Sequence, residues 1–101
     1  MTNDETVRVV MYGTAYCPYC VRARGLLDDK GVSYEDIRLE NAPELRQEME
    51  RRSGRRTVPQ IFIGDTHVGG SDDLYALERN GKLDELLRTG VPLKPRGIEH
   101  G

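Results

Sequence analysis

The chain has 101 residues, of which 32% are charged, and its formal net charge at neutral pH is −2. This length predicts one domain with a single core, and the mixed charge gives no basis for a nucleic-acid-binding surface. No apolar run reaches the ~20 residues that cross a bilayer, and residues 1–6 lack the features of a leader peptide. We therefore expect a soluble cytoplasmic protein, in which paired cysteines are more often catalytic than structural.

The first predicted elements are a strand and a helix. Residues Val7 to Tyr12 are nearly all apolar, which fits an interior strand covered on both faces. A helix over residues 18–30 follows, and Gly31 ends it as a left-handed cap. Its predicted inward stripe is Cys20, Ala23, Leu26 and Leu27, and its predicted water-facing residues are Arg22, Arg24, Asp28 and Asp29.

The only two cysteines, Cys17 and Cys20, stand at this strand-to-helix junction. Pro18 suits the first helical position because its φ is already helical, which places Cys17 at or next to the N-cap. Unpaired N–H groups and the helix dipole favour a thiolate there, so we expect the pKa of Cys17 to lie well below that of a free thiol. Cys20 lies one turn further on, and such a pair can open another disulfide and close on itself.

Three other interpretations of the cysteine pair are open. A structural disulfide would close a very short loop and would remove little entropy from the unfolded chain. A zinc site needs about four ligands, and only His67 and His100 could join the cysteines, in no recognised spacing. Two inert buried cysteines are disfavoured by the proline between them at a helix start. Redox chemistry is the favoured interpretation.

The chain continues with a second strand and a second helix. Val32 to Leu39 alternates imperfectly and is predicted as an edge strand, with Tyr34, Ile37 and Leu39 facing inward. Asn41 to Ser53 is predicted as a charged helix capped by Asn41, with a narrow apolar stripe of Leu45 and Met49. Strand, helix and strand together make a right-handed βαβ unit.

A hairpin and two helices complete the prediction. They are a strand from Val58 to Ile63, a return strand from Thr66 to Val68, a helix over residues 71–80 capped by Ser71, and a last helix over residues 82–88. The tail over residues 90–101 contains prolines and glycines and is expected to be loosely ordered. The whole order predicts an α/β domain, with its core over about residues 6–88, in which helices flank a mixed four-stranded sheet. The cysteine pair then lies at the carboxyl end of the first strand, the usual place for a site in such a sheet.

This order, with Cys17-Pro18-Tyr19-Cys20 after the first strand, resembles a dithiol glutaredoxin of the small bacterial type, which has the thioredoxin fold. Two further stretches match that family at the expected places. They are Thr57-Val58-Pro59 before the third strand and Gly69-Gly70-Ser71-Asp72-Asp73 before the third helix. Three motifs in order over one small domain make the resemblance specific.

The resemblance implies a glutathione site at these motifs. Pro59 is then cis, and the backbone of Val58, after Thr57, pairs with the cysteine residue of glutathione like a strand edge. Otherwise, Pro59 merely starts a strand. The amides around Ser71 to Asp73 then receive the γ-glutamyl carboxylate, with Asp72 or Asp73 near the α-amino group. Gly70 lets the backbone come close, and Tyr19 forms a wall of the groove. A plain helix cap explains residues 71–73 equally well.

Thr14 departs from the family pattern, since many members carry lysine three residues before the first cysteine. That lysine lies close to the thiolate and to the glycine carboxylate of glutathione. Arg56 is the first choice to replace the carboxylate contact, and Arg55 is the second, because arginine binds a carboxylate bidentately. Stabilisation of the thiolate then depends more on the helix N-terminus.

By resemblance, the protein is a glutathione-dependent thiol–disulfide oxidoreductase in which Cys17 is the nucleophile and Cys20 resolves, with a redox disulfide between them. Glutathione is the co-substrate and no metal is expected. The expected partners are glutathionylated or disulfide-containing proteins, with glutathione reductase acting indirectly, and the chain is expected to be a monomer. One alternative is a thioredoxin-like electron donor recharged by a flavoprotein reductase, which the predicted γ-glutamyl site disfavours. Another is a dimeric [2Fe–2S] cluster carrier, which Pro18 disfavours by resemblance.

Overall fold

A computed structural model describes residues 7–90 of the chain. The strands are β1 (Val9–Gly13), β2 (Glu35–Arg38), β3 (Gln60–Ile63) and β4 (Thr66–Gly69). The helices are α1 (Pro18–Asp29), α2 (Pro43–Ser53), α3 (Ser71–Arg79) and α4 (Leu83–Thr89). The predicted α/β class and the thioredoxin fold with its four-stranded mixed sheet are confirmed.

The sheet has the order β2-β1-β3-β4. β1 pairs parallel with β2 and antiparallel with β3, and β4 pairs antiparallel with β3. All five residues of β1 are buried, and β2 lies at an edge, as the sequence predicted for both strands. Because β1 is central and antiparallel to β3, the carboxyl end of β1 lies beside the start of β3.

Two apolar clusters cover the two faces of the sheet. Val9 and Met11 point into a cluster with residues of α1, α3 and α4, whereas Val10 and Tyr12 point into a cluster that includes Met49 of α2. This alternation is the period of two that a strand imposes. The predicted stripe of α1 is confirmed, since Cys20, Ala23, Leu26 and Leu27 are all buried. One redox candidate, Cys20, is therefore part of the core.

The strands are shorter than predicted at several ends. β1 begins at Val9 and not at Val7, and β2 covers only the four residues that pair with β1. β3 begins at Gln60 and not at Val58, because Pro59 has no N–H to donate to a ladder. The chain therefore reaches β3 through an irregular stretch over residues 57–59.

The cap predicted for the second helix was wrong. The N-cap of α2 is Ala42, and Asn41 precedes it with a φ of 60°. The reason is Pro43, which takes the first helical position and so fixes where the helix starts. Asn41 instead belongs to the tight connection after β2, in a left-handed conformation that asparagine tolerates.

Two other expectations concern membrane-spanning segments and the C-terminal tail. Over residues 7–90 no helix is long and apolar enough to cross a membrane. The tail beyond Gly90, with its predicted loose order, lies outside the described residues, as does His100.

Candidate active site at the carboxyl end of β1

Cys17 and Cys20 occupy the start of α1, as the sequence predicted. Cys17 is the N-cap, Pro18 is the first helical residue, and the carbonyl of Cys17 accepts the N–H of Val21 at 3.0 Å. Both cysteines are free thiols, Cys17 partly exposed and Cys20 buried. The partly exposed thiol of Cys17 can therefore meet a substrate, whereas the thiol of Cys20 has no exposed surface of its own.

The environment of Cys17 favours its thiolate. Burial by itself raises the pKa of Cys17, but hydrogen bonds from the backbone N–H groups of Cys20 and Tyr19 lower it. The side chain of Cys20 and the positive charge of Arg24 lower it further, so that the net pKa lies below its ordinary value. These donors are the unpaired amides of a helix N-terminus, which stabilise an anion.

The environment of Cys20 has the opposite effect. Burial is the largest influence and raises the pKa of Cys20, and the sulfur of Cys17 raises it further. A hydrogen bond from the backbone N–H of Thr14, at 3.5 Å from Sγ, opposes the rise without cancelling it. The site thus combines one thiol whose pKa is lowered with a second whose pKa is raised and whose side chain donates to the first.

Gly13 allows the second thiol to fit against β1. A Cβ atom at this position would lie 2.9 Å from Cys20 Sγ and 3.0 Å from Cε of Met11. Sequence reasoning did not single out this residue. The available signal was a glycine at the end of a buried strand, which often marks the close approach of another group.

A groove of about 220 Å³ opens beside Tyr19. Its other lining residues are Arg55, Thr57, Val58, Pro59, Gly70, Ser71, Asp72 and Asp73. Residues 57–59 and 70–73 are separate in sequence, and the groove brings them together beside the start of α1.

The stretch before β3 forms the wall of the groove nearest Cys17. The Val58–Pro59 peptide bond is cis, and the carbonyl oxygen of Val58 lies 4.0 Å from Cys17 Sγ. This places the backbone of Val58 beside the sulfur that would carry a bound substrate.

Gln60 supports this wall from inside the protein. It is fully buried, and its Nε2 donates to the carbonyl and to Oγ1 of Thr57, both at 3.1 Å. Its Oε1 lies 2.7 Å from Nε2 of His67, so that imidazole nitrogen carries the proton. Gln60 is not among the site residues predicted from sequence, although a glutamine within an apolar strand is itself a signal, because a buried amide needs partners.

The opposite wall is the N-terminus of α3. Gly70 is its N-cap, so the prediction that Ser71 caps the helix was wrong. The reason is Asp73, whose Oδ2 accepts the N–H of Gly70 at 2.9 Å and so fixes the helix start one residue earlier. Ser71 is only 4% exposed, and its Oγ has no hydrogen-bond partner within residues 7–90. A buried hydroxyl without a partner costs free energy, which a ligand in the groove would recover.

The two candidate arginines are placed differently. Arg55, the second choice from sequence, lines the groove with Nη1 3.6 Å from Asp73 Oδ2. Arg56 does not line the groove, and its carbonyl accepts from Nη1 of Arg46 at 3.2 Å. Within the described residues, no three metal-ligating side chains come together.

Comparisons with known proteins agree with this geometry. Residues 9–68 match the family model described as Glutaredoxin. The chain is 62% identical over 79 residues to a glutaredoxin of Pseudomonas aeruginosa, covering 78% of this chain and 94% of that protein. It is 52% identical over 80 residues to glutaredoxin 3 of Escherichia coli K12, covering 79% and 96%.

Solved structures show the same similarity. The solution structure of a glutaredoxin from Brucella melitensis has a TM-score of 0.78 and 56% identity, over 88% of this chain and 97% of that one. The crystal structure of a buckwheat glutaredoxin–glutathione complex has a TM-score of 0.74 and 34% identity, over 82% and 78%.

The asymmetry of the two thiols can be tested by alkylation. In the native reduced protein, iodoacetamide should modify Cys17 and leave Cys20 unmodified, because Cys20 is buried and its pKa is raised. The rate should rise with pH at a midpoint below that of the same cysteine in urea, because the helix amides that lower the pKa of Cys17 are lost on unfolding. Tandem mass spectrometry assigns the modified residue. Equal modification of both cysteines, or equal midpoints in buffer and in urea, would contradict this picture.

Proposed function

The chain belongs to the glutaredoxin family and is a thiol–disulfide oxidoreductase, and we propose that it takes its electrons from glutathione. The proposed substrates are protein–glutathione mixed disulfides and protein disulfides. The observation that carries this proposal is the groove beside Cys17, which combines a backbone wall at Val58, a helix N-terminus and an arginine. Those are the groups that a tripeptide with two carboxylates requires.

In the monothiol step, the Cys17 thiolate attacks the glutathione sulfur of a mixed disulfide. The bond between that sulfur and the target protein breaks, and the target leaves as a thiolate that takes a proton from water. A second glutathione thiolate then attacks the glutathione sulfur now bound to Cys17. Glutathione disulfide is released and the Cys17 thiolate is restored. The low pKa of Cys17 serves both steps, since it makes Cys17 a nucleophile first and a leaving group afterwards.

In the dithiol step, Cys17 attacks one sulfur of a protein disulfide and becomes joined to that protein. Cys20 then loses its proton and attacks the Cys17 sulfur, which releases the reduced protein and leaves a Cys17–Cys20 disulfide. The sulfur of Cys17 is one of the causes that raise the pKa of Cys20. Once Cys17 is in a mixed disulfide, its sulfur carries no negative charge. The pKa of Cys20 then falls, so Cys20 ionises more easily at the step in which it attacks. Two glutathione molecules reopen the disulfide.

The proposed position of glutathione follows from the groove walls. The γ-glutamyl carboxylate lies at the N-terminus of α3, where the Oγ of Ser71 is buried without a partner in the described chain. Asp72 is exposed and lines the groove, whereas Asp73 already accepts the N–H of Gly70. We therefore assign the α-amino group to Asp72. Tyr19, which is 53% exposed, covers the glutathione from the side of α1.

The other end of glutathione carries the glycine carboxylate. Arg55 lines the groove, and within residues 7–90 its one carboxylate partner is Asp73, with Nη1 3.6 Å from Oδ2. This separation is long for a hydrogen bond, so the guanidinium keeps donors for a ligand. We therefore assign the contact with the glycine carboxylate to Arg55 and not to Arg56. It also includes the cytoplasm as the compartment, a monomer as the active form, and glutathione reductase as the enzyme that recycles the released glutathione disulfide.

The roles of the two cysteines can be separated by substitution. With a glutathionylated peptide, glutathione and glutathione reductase, Cys17→Ser should abolish turnover, whereas Cys20→Ser should keep it, because the monothiol step uses only Cys17. With a protein disulfide as substrate, Cys20→Ser should lose turnover. Oxidation of NADPH by the reductase measures both reactions. Turnover by Cys17→Ser, or a wild-type protein that is reduced by thioredoxin reductase but is inactive with glutathione, would refute the proposed function.

The two neighbouring arginines provide a matched pair for the binding site. Arg55→Gln should raise KM for the glutathionylated peptide roughly tenfold, because a charged hydrogen bond to the glycine carboxylate is worth about 1.5 kcal/mol or more. Arg56→Gln should change KM less than about twofold, because its side chain does not line the groove. The coupled assay at several peptide concentrations gives both values. The reverse order of effects would move the carboxylate contact back to Arg56.

A further inference from the structure

Arg24 is the most enclosed cation beside the active site in the described chain. It lies on α1, four residues after Cys20, and its side chain is only 13% exposed. Its Nε donates to Oδ2 of Asp36 at 2.9 Å, and its Nη2 donates to the carbonyl of Thr14 at 2.9 Å. The guanidinium is therefore fixed between strand β2 and the segment that joins β1 to Cys17.

The segment itself is held at three successive backbone groups. The N–H of Thr14 donates to Cys20 Sγ at 3.5 Å, and the carbonyl of Thr14 accepts from Arg24. The N–H of Ala15, in the same peptide group as that carbonyl, donates to Oε2 of Glu40 at 2.6 Å. Arg24 and Glu40 thus hold one peptide group from its two sides, and the next N–H toward the N-terminus points at the buried sulfur.

We propose that Arg24 is a positioning residue for the dithiol: held by Asp36, it fixes the backbone of Thr14 so that the Thr14 N–H meets Cys20 Sγ. The inference rests on the roles proposed for Cys17 and Cys20 and does not depend on glutathione. The sequence prediction that Arg24 faces water was wrong, because helical periodicity cannot show that Asp36 on β2 lies opposite it.

Two properties of arginine suit it to this position. Its planar fork donates in two directions at once, to a carboxylate and to a carbonyl, which the single ammonium of lysine does less well. Its charge lowers the pKa of both Cys17 and Cys20. The anions that face it are Asp36, which is also paired with Arg38 at 3.0 Å, and Glu40, which holds Ala15.

The test uses the full chain and no glutathione. The variants are Arg24→Gln and Arg24→Lys. Arg24→Gln removes the charge and weakens the paired hydrogen bonds to Asp36 and Thr14, whereas Arg24→Lys keeps the charge but loses the planar group that donates to both. The matched control is Arg22→Gln on the same helix, since the Arg22 side chain is exposed and lies over the ring of Tyr75.

Two quantities are measured for each protein. The first is the pH midpoint of Cys17 alkylation by iodoacetamide. The second is the equilibrium with dithiothreitol, in which the cysteine pair gives two electrons and two protons to oxidised dithiothreitol. The Cys17–Cys20 disulfide closes as the dithiothreitol disulfide opens.

We expect Arg24→Gln to raise the alkylation midpoint by about half a pH unit, because the charge of Arg24 lowers the pKa of Cys17 and the loss of one charge near a partly exposed group has an effect of that order. We expect both Arg24 variants to shift the dithiothreitol equilibrium roughly threefold or more toward the Cys17–Cys20 disulfide, because loss of the Thr14 hydrogen bond destabilises the reduced pair. Arg24→Lys should leave the alkylation midpoint near that of the wild type, and Arg22→Gln should change neither quantity.

Two results would overturn the inference. One is an Arg24→Gln variant that matches Arg22→Gln in both measurements. The other is an Arg24→Lys variant with the wild-type dithiothreitol equilibrium, since charge alone would then account for the residue. If Arg24→Gln does not fold, Arg24→Lys alone decides the positioning claim. A failure of glutathione turnover in the wild type would count against the proposed function and would leave these readouts unaffected.

Discussion

The thiolate of Cys17 at the start of α1 is the feature on which the rest of the site depends. Burial opposes a negative charge on its sulfur. The N–H groups of Cys20 and Tyr19 at the helix N-terminus, with the side chain of Cys20 and the charge of Arg24, outweigh that effect. Each unit by which the pKa of Cys17 is lowered corresponds to about 1.4 kcal/mol of stabilisation of the thiolate relative to the thiol. The neighbouring Cys20 is kept neutral by the same burial that builds the core, so one helix turn holds two thiols with opposite tendencies.

The sheet order brings the other half of the site to that sulfur. Because β1 lies between β2 and β3, the segment after β1 has Arg24 and Asp36 on one side and Val58 on the other. The β2 side acts on the electrostatics and position of the cysteines. The β3 side, continued by the N-terminus of α3, forms the groove in which we place glutathione.

Much of this arrangement was predictable from sequence. Apolar periodicity indicated the elements, and the three motifs, through the family that they resemble, indicated where a groove would lie. Contacts between distant charged residues were not predictable. Arg24 has the helical position of a solvated residue, and only the fold shows that Asp36 reaches it. The choice between Arg55 and Arg56 depends on the backbone direction after α2, which no local pattern encodes. Asn41 and Ser71 were reasonable caps by type, but Pro43 and Asp73 set the helix starts elsewhere.

The most direct measurement is the amide NMR spectrum of the Cys20→Ser protein before and after Cys17 is joined to glutathione in a mixed disulfide. The account predicts that the largest shifts away from Cys17 occur at Val58, at Ser71 to Asp73 and at Arg55, with contacts from the γ-glutamyl group to the N-terminus of α3. Shifts confined to the neighbours of Cys17 in sequence, with none at α3, would show that the groove does not bind glutathione.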